Sequence, residues 1–516
     1  MKITTTKVEK EIKGMNTFLN EMKNDANVKF TENGGKAYAS TLNDVYDMFA
    51  LCGAYRKRSD EDCILMFKNA FEQDSDLALK CLFYLGDCRG GQGERRFFRV
   101  CFNWLCQKHR HTAEQLVKYI PTFRRWDDVL YSCEGTKVMD KALKFIKEQL
   151  TLDVDCKTPS LLAKWLPSEN ASAKETVRMG GIVREYLGLT HKQYRKVLSD
   201  LRSRINIVEK LMSENRWDEI EFDKIPSKAG LIYKNAFARR DLIARKYEAF
   251  AKDETTKVNA KTLYPYEVVN KARGSNNSAT DRAMVEKYWN NLKDYFDGKQ
   301  SSILAVVDTS GSMTSWRNDA IAPIDVAISL GIYCAERAGG PFKDHYISFS
   351  SHPQLIKVEG VDFVDKVRRI YRTNLCENTD LPKVFDMLLD IAKRPSTKRE
   401  DIPKTIVVIS DMEIDAGTGS WRGGQRWTSE SANTEMEKIR EKWARAGFEL
   451  PRLVYWNVDA RQNTILDSGD NVTFVSGCSP VIFESIITGK NGWDLCLDKL
   501  LNERYADIKD YCSFAF

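Results

Sequence analysis

Asp308-Thr-Ser310-Gly-Ser312-Met313 places one carboxylate and two hydroxyls at alternate positions of a turn, a donor set suited to a hard cation. Mg2+ takes six oxygens in near-octahedral geometry and keeps several of its waters, so a few hydroxyls and carboxylates suffice to hold it. Gly311 lets the backbone bend tightly between the two serines. Thr379 lies in the loop 374–380, ahead of a helical stretch. Asp411 closes the apolar run Thr405–Ser410, and Glu413 and Asp415 follow it. Carboxylates in such places can hold the waters of an ion from the second sphere. An open coordination position would remain for an acidic group of a partner. The bland alternative is a Gly/Ser turn capped by an aspartate. Placement after an apolar strand, with the Thr loop and the strand-terminal Asp following in order, favours a divalent cation, Mg2+ by preference. A phosphate loop would need Gly-Lys-Ser/Thr at this turn. A metal-dependent hydrolase would need a carboxylate pair where the chain has Ser310. The site is therefore expected to bind rather than catalyse, and no enzyme is expected.

A second group is basic. Arg89, Arg95, Arg96 and Arg99 crowd one segment, and Arg124 and Arg125 follow. Arg95 and Arg99 are one helical turn apart and project from one face. Forked guanidinium donors suit phosphates. Lys108, Arg110, Arg239 and Arg240 could extend the patch, and Trp104 and Trp126 could stack unpaired bases. The competing use of these arginines is internal, since Glu94 adjoins Arg95 and Asp127-Asp128 follow Arg125.

The elements that must position these groups fall into two grammars. From about residue 41 to 295, apolar residues recur at three and four spacing, as in Phe97, Val100, Cys101, Trp104 and Leu105. This predicts helices of about twelve to twenty residues, stacked as an α-solenoid of the HEAT type. After Asp297-Gly298, short apolar strands alternate with helices. Strands are predicted at 303–308, 345–349, 405–410, 453–458 and 472–475, and helices at 319–338, 361–371, 381–392, 431–446 and 493–505, with one more helix before them at 281–296. That alternation predicts a doubly wound, mostly parallel sheet. The chain is read as a multidomain protein with an all-α HEAT-like repeat region, residues 1–298, followed by an α/β domain, residues 299–516. Ligands of such sheets bind beyond the carboxyl ends of the strands, which is where Asp308 and Asp411 fall.

Composition limits the class. The 516 residues exceed one core. No run of eighteen apolar residues occurs, and the N-terminal stretch is polar, so neither a membrane span nor a signal peptide is expected. The thirteen cysteines are scattered without a Cys-x-x-Cys pair, which suits buried thiols in a reducing compartment. The five histidines form no zinc ligand set. The protein is expected to stay in the cytoplasm, that of the host if the chain is viral. Net charge is +6, but residues 1–300 hold 53 Lys+Arg against 42 Asp+Glu, and residues 301–516 hold 26 against 31. This asymmetry hints at a polyanion partner for the front part.

The turn at Asp308 resembles the metal-ion-dependent adhesion site of von Willebrand factor A domains, with Thr379 and Asp411 matching that motif's later Thr and Asp. The resemblance implies direct ligation by Ser310, Ser312 and Thr379, with Asp308 and Asp411 acting mainly through water. Two positions depart from it: Glu377 stands where a glycine is common, and Met-Glu-Ile-Asp follows Asp411. In the front part, Asn33-Gly-Gly-Lys-Ala-Tyr38, Asp87 through Arg95, Arg125-Trp-Asp-Asp128, Lys164 through Ser168, Pro226 through Ala229 and Pro265-Tyr-Glu267 resemble an uncharacterised family known only as a domain of unknown function. Its architecture is similar to that of the Ro (TROVE) proteins, in which helical repeats closed by an A domain bind RNA. The resemblance implies a non-catalytic RNA-binding protein. The alternative is a protein-interaction module whose metal captures a partner's carboxylate.

Overall fold

The computed structural model describes residues 22–511 apart from 24–25, 32–35, 206, 275–277, 315–320, 350–352, 373–379, 414–420, 423–424, 427–434 and 468–470. It opens on a hairpin absent from the sequence expectation, in which β1 (Val28–Phe30) pairs antiparallel with β2 (Lys36–Tyr38). Strands of three residues carry no readable period. Helices then run to Asn290; the first three and the last are started by a side chain that accepts a backbone N–H, from Asn43, Ser59, Asp74 and Ser278. The helix Arg95–Lys108 buries Phe97, Phe98, Cys101, Phe102, Leu105 and Cys106 along one stripe. Lengths are more uneven than expected, from the four residues of Leu162–Trp165 to the seventeen of Met139–Asp155.

Packing follows chain order, as in stacked repeats. Helix Asp60–Gln73 rests on Ser75–Gly86 and Arg95–Lys108, the latter on Asp127–Cys133, and that in turn on Met139–Asp155. Met139–Asp155 also meets His191–Ile205, and in a second group Ser227–Ala238 packs on Asp241–Lys252 and that on Ala279–Asn290. Tyr264 Oη donates to Gln92 O at 3.1 Å, joining the last helices to the loop before Arg95.

The C-terminal part is a mixed six-stranded sheet in the order β10-β9-β6-β3-β4-β5. Its strands are β3 (Ile303–Asp308), β4 (His345–Phe349), β5 (Gln354–Lys357), β6 (Thr405–Ser410), β9 (Arg452–Asn457) and β10 (Val472–Ser476). β7 (Trp421–Arg422) and β8 (Gln425–Arg426) form a separate ribbon. All the main-sheet pairs are parallel except β4 with the edge strand β5, which the sequence reading missed because only Ile356 of β5 is buried. β3 and β6 are buried at every residue, as parallel strands covered on both faces are. Helix Pro323–Arg337 lies close on β3: a Cβ at Gly331 would fall 2.5 Å from Val307 Cγ2, so glycine sets that approach. The helix starts at Pro323 rather than near 319, with proline at its first turn. The last predicted helix stops at Leu500, and a short 3-10 turn, Glu503–Tyr505, follows.

The sheet domain holds both ends of the helical path. Helices Pro265–Arg273 and Ala279–Asn290 pack on Pro323–Arg337 and Phe363–Arg372. At the other end, Asp44–Leu51 packs on β10 and, with Ser75–Gly86, on Gly492–Leu500. The open edge of β10 is capped here, its Phe474 N donating to Tyr46 Oη at 2.8 Å. The helical part therefore begins and ends on the sheet domain. The described cysteines are free thiols, with Cys81, Cys334 and Cys496 buried. No described helix is long and apolar enough to cross a membrane.

Candidate functional site

Two places concentrate polar chemistry. At the carboxyl ends of the neighbouring strands β3 and β6, Asp308 and Asp411 are buried side by side. Asp308 Oδ1 accepts from Ser310 N at 2.8 Å and Oδ2 from Ser410 Oγ at 2.6 Å. Ser310 Oγ and Ser312 Oγ stand 3.0 Å apart. Asp411 Oδ1 accepts from Glu413 N at 3.2 Å, and Oδ2 from Arg461 Nη2 at 2.7 Å. Burial raises both carboxyl pKa values, and Asp411 adds to the rise of Asp308, which reaches about 7; Arg461 pulls Asp411 partly back. Asp308, Ser310, Ser312 and Asp411 thus converge as expected. Thr379, Glu377 and Asp415 lie outside the described residues. Arg461, which supplies Asp411 with a protein-borne counter-charge, has no sequence signal. Among the described residues no group of three or more His, Cys, Asp or Glu could hold a metal. A cation here would depend on the serine hydroxyls.

The second place is a cavity of about 1330 Å3, open to solvent, in the helical part. Its wall is drawn from residues between Gly86 and Tyr264, with Arg89, Arg95, Arg125, Lys164, Arg202 and Lys228 among its basic residues. Trp126, Trp165, Tyr233 and Tyr264 supply aromatic surface. Asp128, Glu209, Glu219 and Glu221 are its carboxylates. Asp128 organises one side of this wall. Its Oδ1 takes Arg95 Nε at 2.9 Å and Arg99 Nε at 2.6 Å, and its Oδ2 takes Arg124 Nε at 3.1 Å. Asp127 Oδ2 takes Arg95 Nη2 at 2.5 Å and Arg125 Nη2 at 2.6 Å. Burial raises the Asp128 pKa, but Arg124, Arg99 and Arg95 outweigh it and hold the carboxyl below its ordinary value.

The six expected phosphate-gripping arginines separate by position. Arg89, Arg95, Arg124 and Arg125 line the cavity; Arg96 and Arg99 do not. Arg96 pairs with Asp60, and Arg99 lies over the Tyr131 ring at 4.5 Å. Arg124 is 3% exposed and spends Nη1 on the Gly86 and Glu94 carbonyls, so it fixes the wall rather than facing a ligand. Arg95 and Arg99 do share a face, both reaching Asp128. Of the two tryptophans, Trp126 lines the cavity and stacks on Phe145, while Trp104 packs edge-on against Phe67 and Phe71. Arg110 pairs with Glu114, and Arg240 covers Trp217. Lys164, Trp165, Arg202 and Lys228 were not read as contact residues, although Lys164-Trp165 and Lys228 sit inside the stretches that carried the family resemblance.

Two family models match the chain, both described as domains of unknown function: DUF2828 over residues 31–128 and 162–304, and DUF7788 over residues 302–495. An uncharacterised protein of Acanthamoeba polyphaga mimivirus is 28% identical over 510 residues, covering 90% of this chain and 85% of the relative. Among solved structures, the crystal structure of the Deinococcus radiodurans Ro (RSR) protein matches with a TM-score of 0.38 and 12% identity, over 91% of this chain and 100% of that one.

Proposed function

We propose that this chain, which matches two domains of unknown function, is a non-catalytic RNA-binding protein whose helical part takes single-stranded RNA into its basic cavity. The observation that carries the reading is the cavity itself. Phosphates meet guanidinium and ammonium groups on its wall, and unpaired bases meet tryptophan and tyrosine rings. A volume of about 1330 Å3 has room for a few nucleotides of a single strand. Binding should weaken steeply with salt. Arg95→Ala combined with Arg125→Ala should lower the affinity at least about tenfold and flatten the log K against log salt slope by about 1. Fluorescence anisotropy with a labelled single strand, on variants checked by circular dichroism, measures both. Affinity indifferent to salt from 50 to 200 mM, a range over which phosphate contacts weaken sharply, would remove this mode.

We also propose that the strand-end turn holds a divalent cation, Mg2+ by preference, in a site of the von Willebrand A type. Two hydroxyls 3.0 Å apart beside two buried carboxylates form an oxygen-only donor set of the kind Mg2+ takes. Ser310 and Ser312 would hold the ion, with Asp308 and Asp411 behind them. Bound there, it would supply an open coordination position, and a partner carboxylate reaching that position is the second reading of function. Mg2+ at a hundred times its dissociation constant should stabilise the fold by about 2.7 kcal/mol, and Ser310→Ala should abolish the shift. A thermal melt with and without EDTA measures it. Equal shifts in both proteins would rule the turn out.

A further inference from the structure

Four guanidiniums, those of Arg95, Arg99, Arg124 and Arg125, gather on only two carboxylates, Asp127 and Asp128. We propose that this wall of the cavity is a seat for the terminal phosphomonoester of a single-stranded RNA, a dianion, in preference to the singly charged phosphodiesters along its length. The inference rests on the RNA reading above and names the part of the ligand that this wall takes.

Charge is the first argument. The cluster is left with two positive charges unmatched by its own carboxylates, and a phosphomonoester carries about −1.5 to −2 near pH 7. Arg124 and Arg99 feel the crowding, whereas at Arg95 burial is outweighed by Asp128 and Asp127, which raise its pKa. Burial lowers the Arg124 and Arg99 pKa values; Asp128 opposes this, while the neighbouring guanidiniums lower them further. Arg99 Nη2 is buried without a hydrogen-bond partner, 3.6 Å from Asp127 Oδ2.

Access is the second. Arg95 and Arg125 both line the cavity, and their side chains are 36% and 39% exposed. Arg95 is held through Nε by Asp128 and through Nη2 by Asp127, and Arg125 through Nε and Nη2 by Asp127 alone, which orients the rest of each fork in advance. Arg124 and Arg99 stand behind them and add field without contact. The third argument is the neighbouring surface. The Arg125 guanidinium lies 3.9 Å from the Trp165 ring centroid, and Trp126 is next in the chain. A phosphate on Arg125 would set its own nucleoside beside these rings, where a terminal base can stack.

The test compares one single-stranded RNA sequence in three forms, with a 5′-phosphate, with a 3′-phosphate, and with hydroxyls at both ends. Each is titrated into the full chain by fluorescence anisotropy. One phosphorylated form should bind about tenfold tighter than the dihydroxyl form, as charge-assisted bonds to a dianion require. Arg125→Lys, which keeps the charge but loses the fork, should shrink that preference. Asp127→Asn should widen it, because a competing carboxylate is gone. A cluster that only braces the wall would instead leave the preference untouched in both variants. Equal affinity for all three forms overturns the phosphomonoester seat while leaving RNA binding standing. No binding of any form at low salt removes the RNA reading itself. A mononucleoside monophosphate that displaces the RNA at equal concentration overturns the assignment to an RNA end, because a free nucleotide would then be the ligand.

Discussion

Asp128→Asn is expected to cost about 3–5 kcal/mol in urea denaturation followed by tryptophan fluorescence, the range for breaking a buried ion pair by removing one partner. Asp128 is 1% exposed, and its two oxygens hold Arg95, Arg99 and Arg124 from three directions. Without its charge, Arg124 would remain buried with only carbonyl partners, and Arg99 would lose its one charged hydrogen bond. Asp127→Asn is the control. Its partners Arg95 and Arg125 are more than a third exposed, so water screens the loss, and about 1 kcal/mol or less is expected. Equal costs for the two variants would mean that Asp128 does not organise the wall.

The second large effect belongs to a glycine. A Cβ at Gly91 would lie 1.8 Å from the Tyr84 carbonyl oxygen, a backbone atom of a buried helix end that already accepts from Asp87 N and Gln92 N. Nothing there can rotate away, so the loop itself would have to move. The same loop gives Gln92 O to Tyr264 and the Asp87 carboxylate to Arg504 and Tyr505, and thereby ties the start of the helical part to its end and to the C-terminal segment. Gly91→Ala should therefore cost about 3 kcal/mol or more and weaken RNA binding with it. Gly90→Ala is its neighbour and its contrast: the nearest atoms there are the Arg504 and Asp87 side-chain ends, at 2.9 and 3.0 Å, which can give way. Its loss should stay near 1 kcal/mol or below. Urea midpoints of the two variants decide the matter.

Legibility in the sequence followed the length scale of the interaction. Leu381–Ala392 and Thr405–Ser410 were readable to the residue, because proline, apolar period and flanking charge all act within a few positions. The juxtaposition of Asp308, Ser310, Ser312 and Asp411 was readable too, since parallel β3 and β6 must bring their ends together. β5 was not, for an edge strand with one buried residue has no alternation to see. The arginine cluster was visible as density, and Asp127-Asp128 as its rival partner. The pairing with Asp127 and Asp128 is what the structure shows, and it leaves Arg95 and Arg125 half-exposed. Which tryptophan faces the cavity depends on how a helix is rotated against its neighbours, and that is decided by residues far away in the chain. Arg461 and the return of Tyr264 to Gln92 are hidden for the same reason: their contacts join segments that local pattern cannot relate.

The cap that Tyr46 places on β10 also sets a timetable. Its partners β10 and Gly492–Leu500 follow the helix Asp44–Leu51 in the chain by more than 400 residues. At a synthesis rate of about 5–20 residues per second, the face that receives β10 stands uncovered for tens of seconds while the rest of the chain is translated. The first helices can pair locally in that interval, but their buried face toward the sheet has nothing to meet until β10 has been made. Docking of this helix on the sheet is thus held back by synthesis of everything between them, and its apolar face is open to aggregation meanwhile.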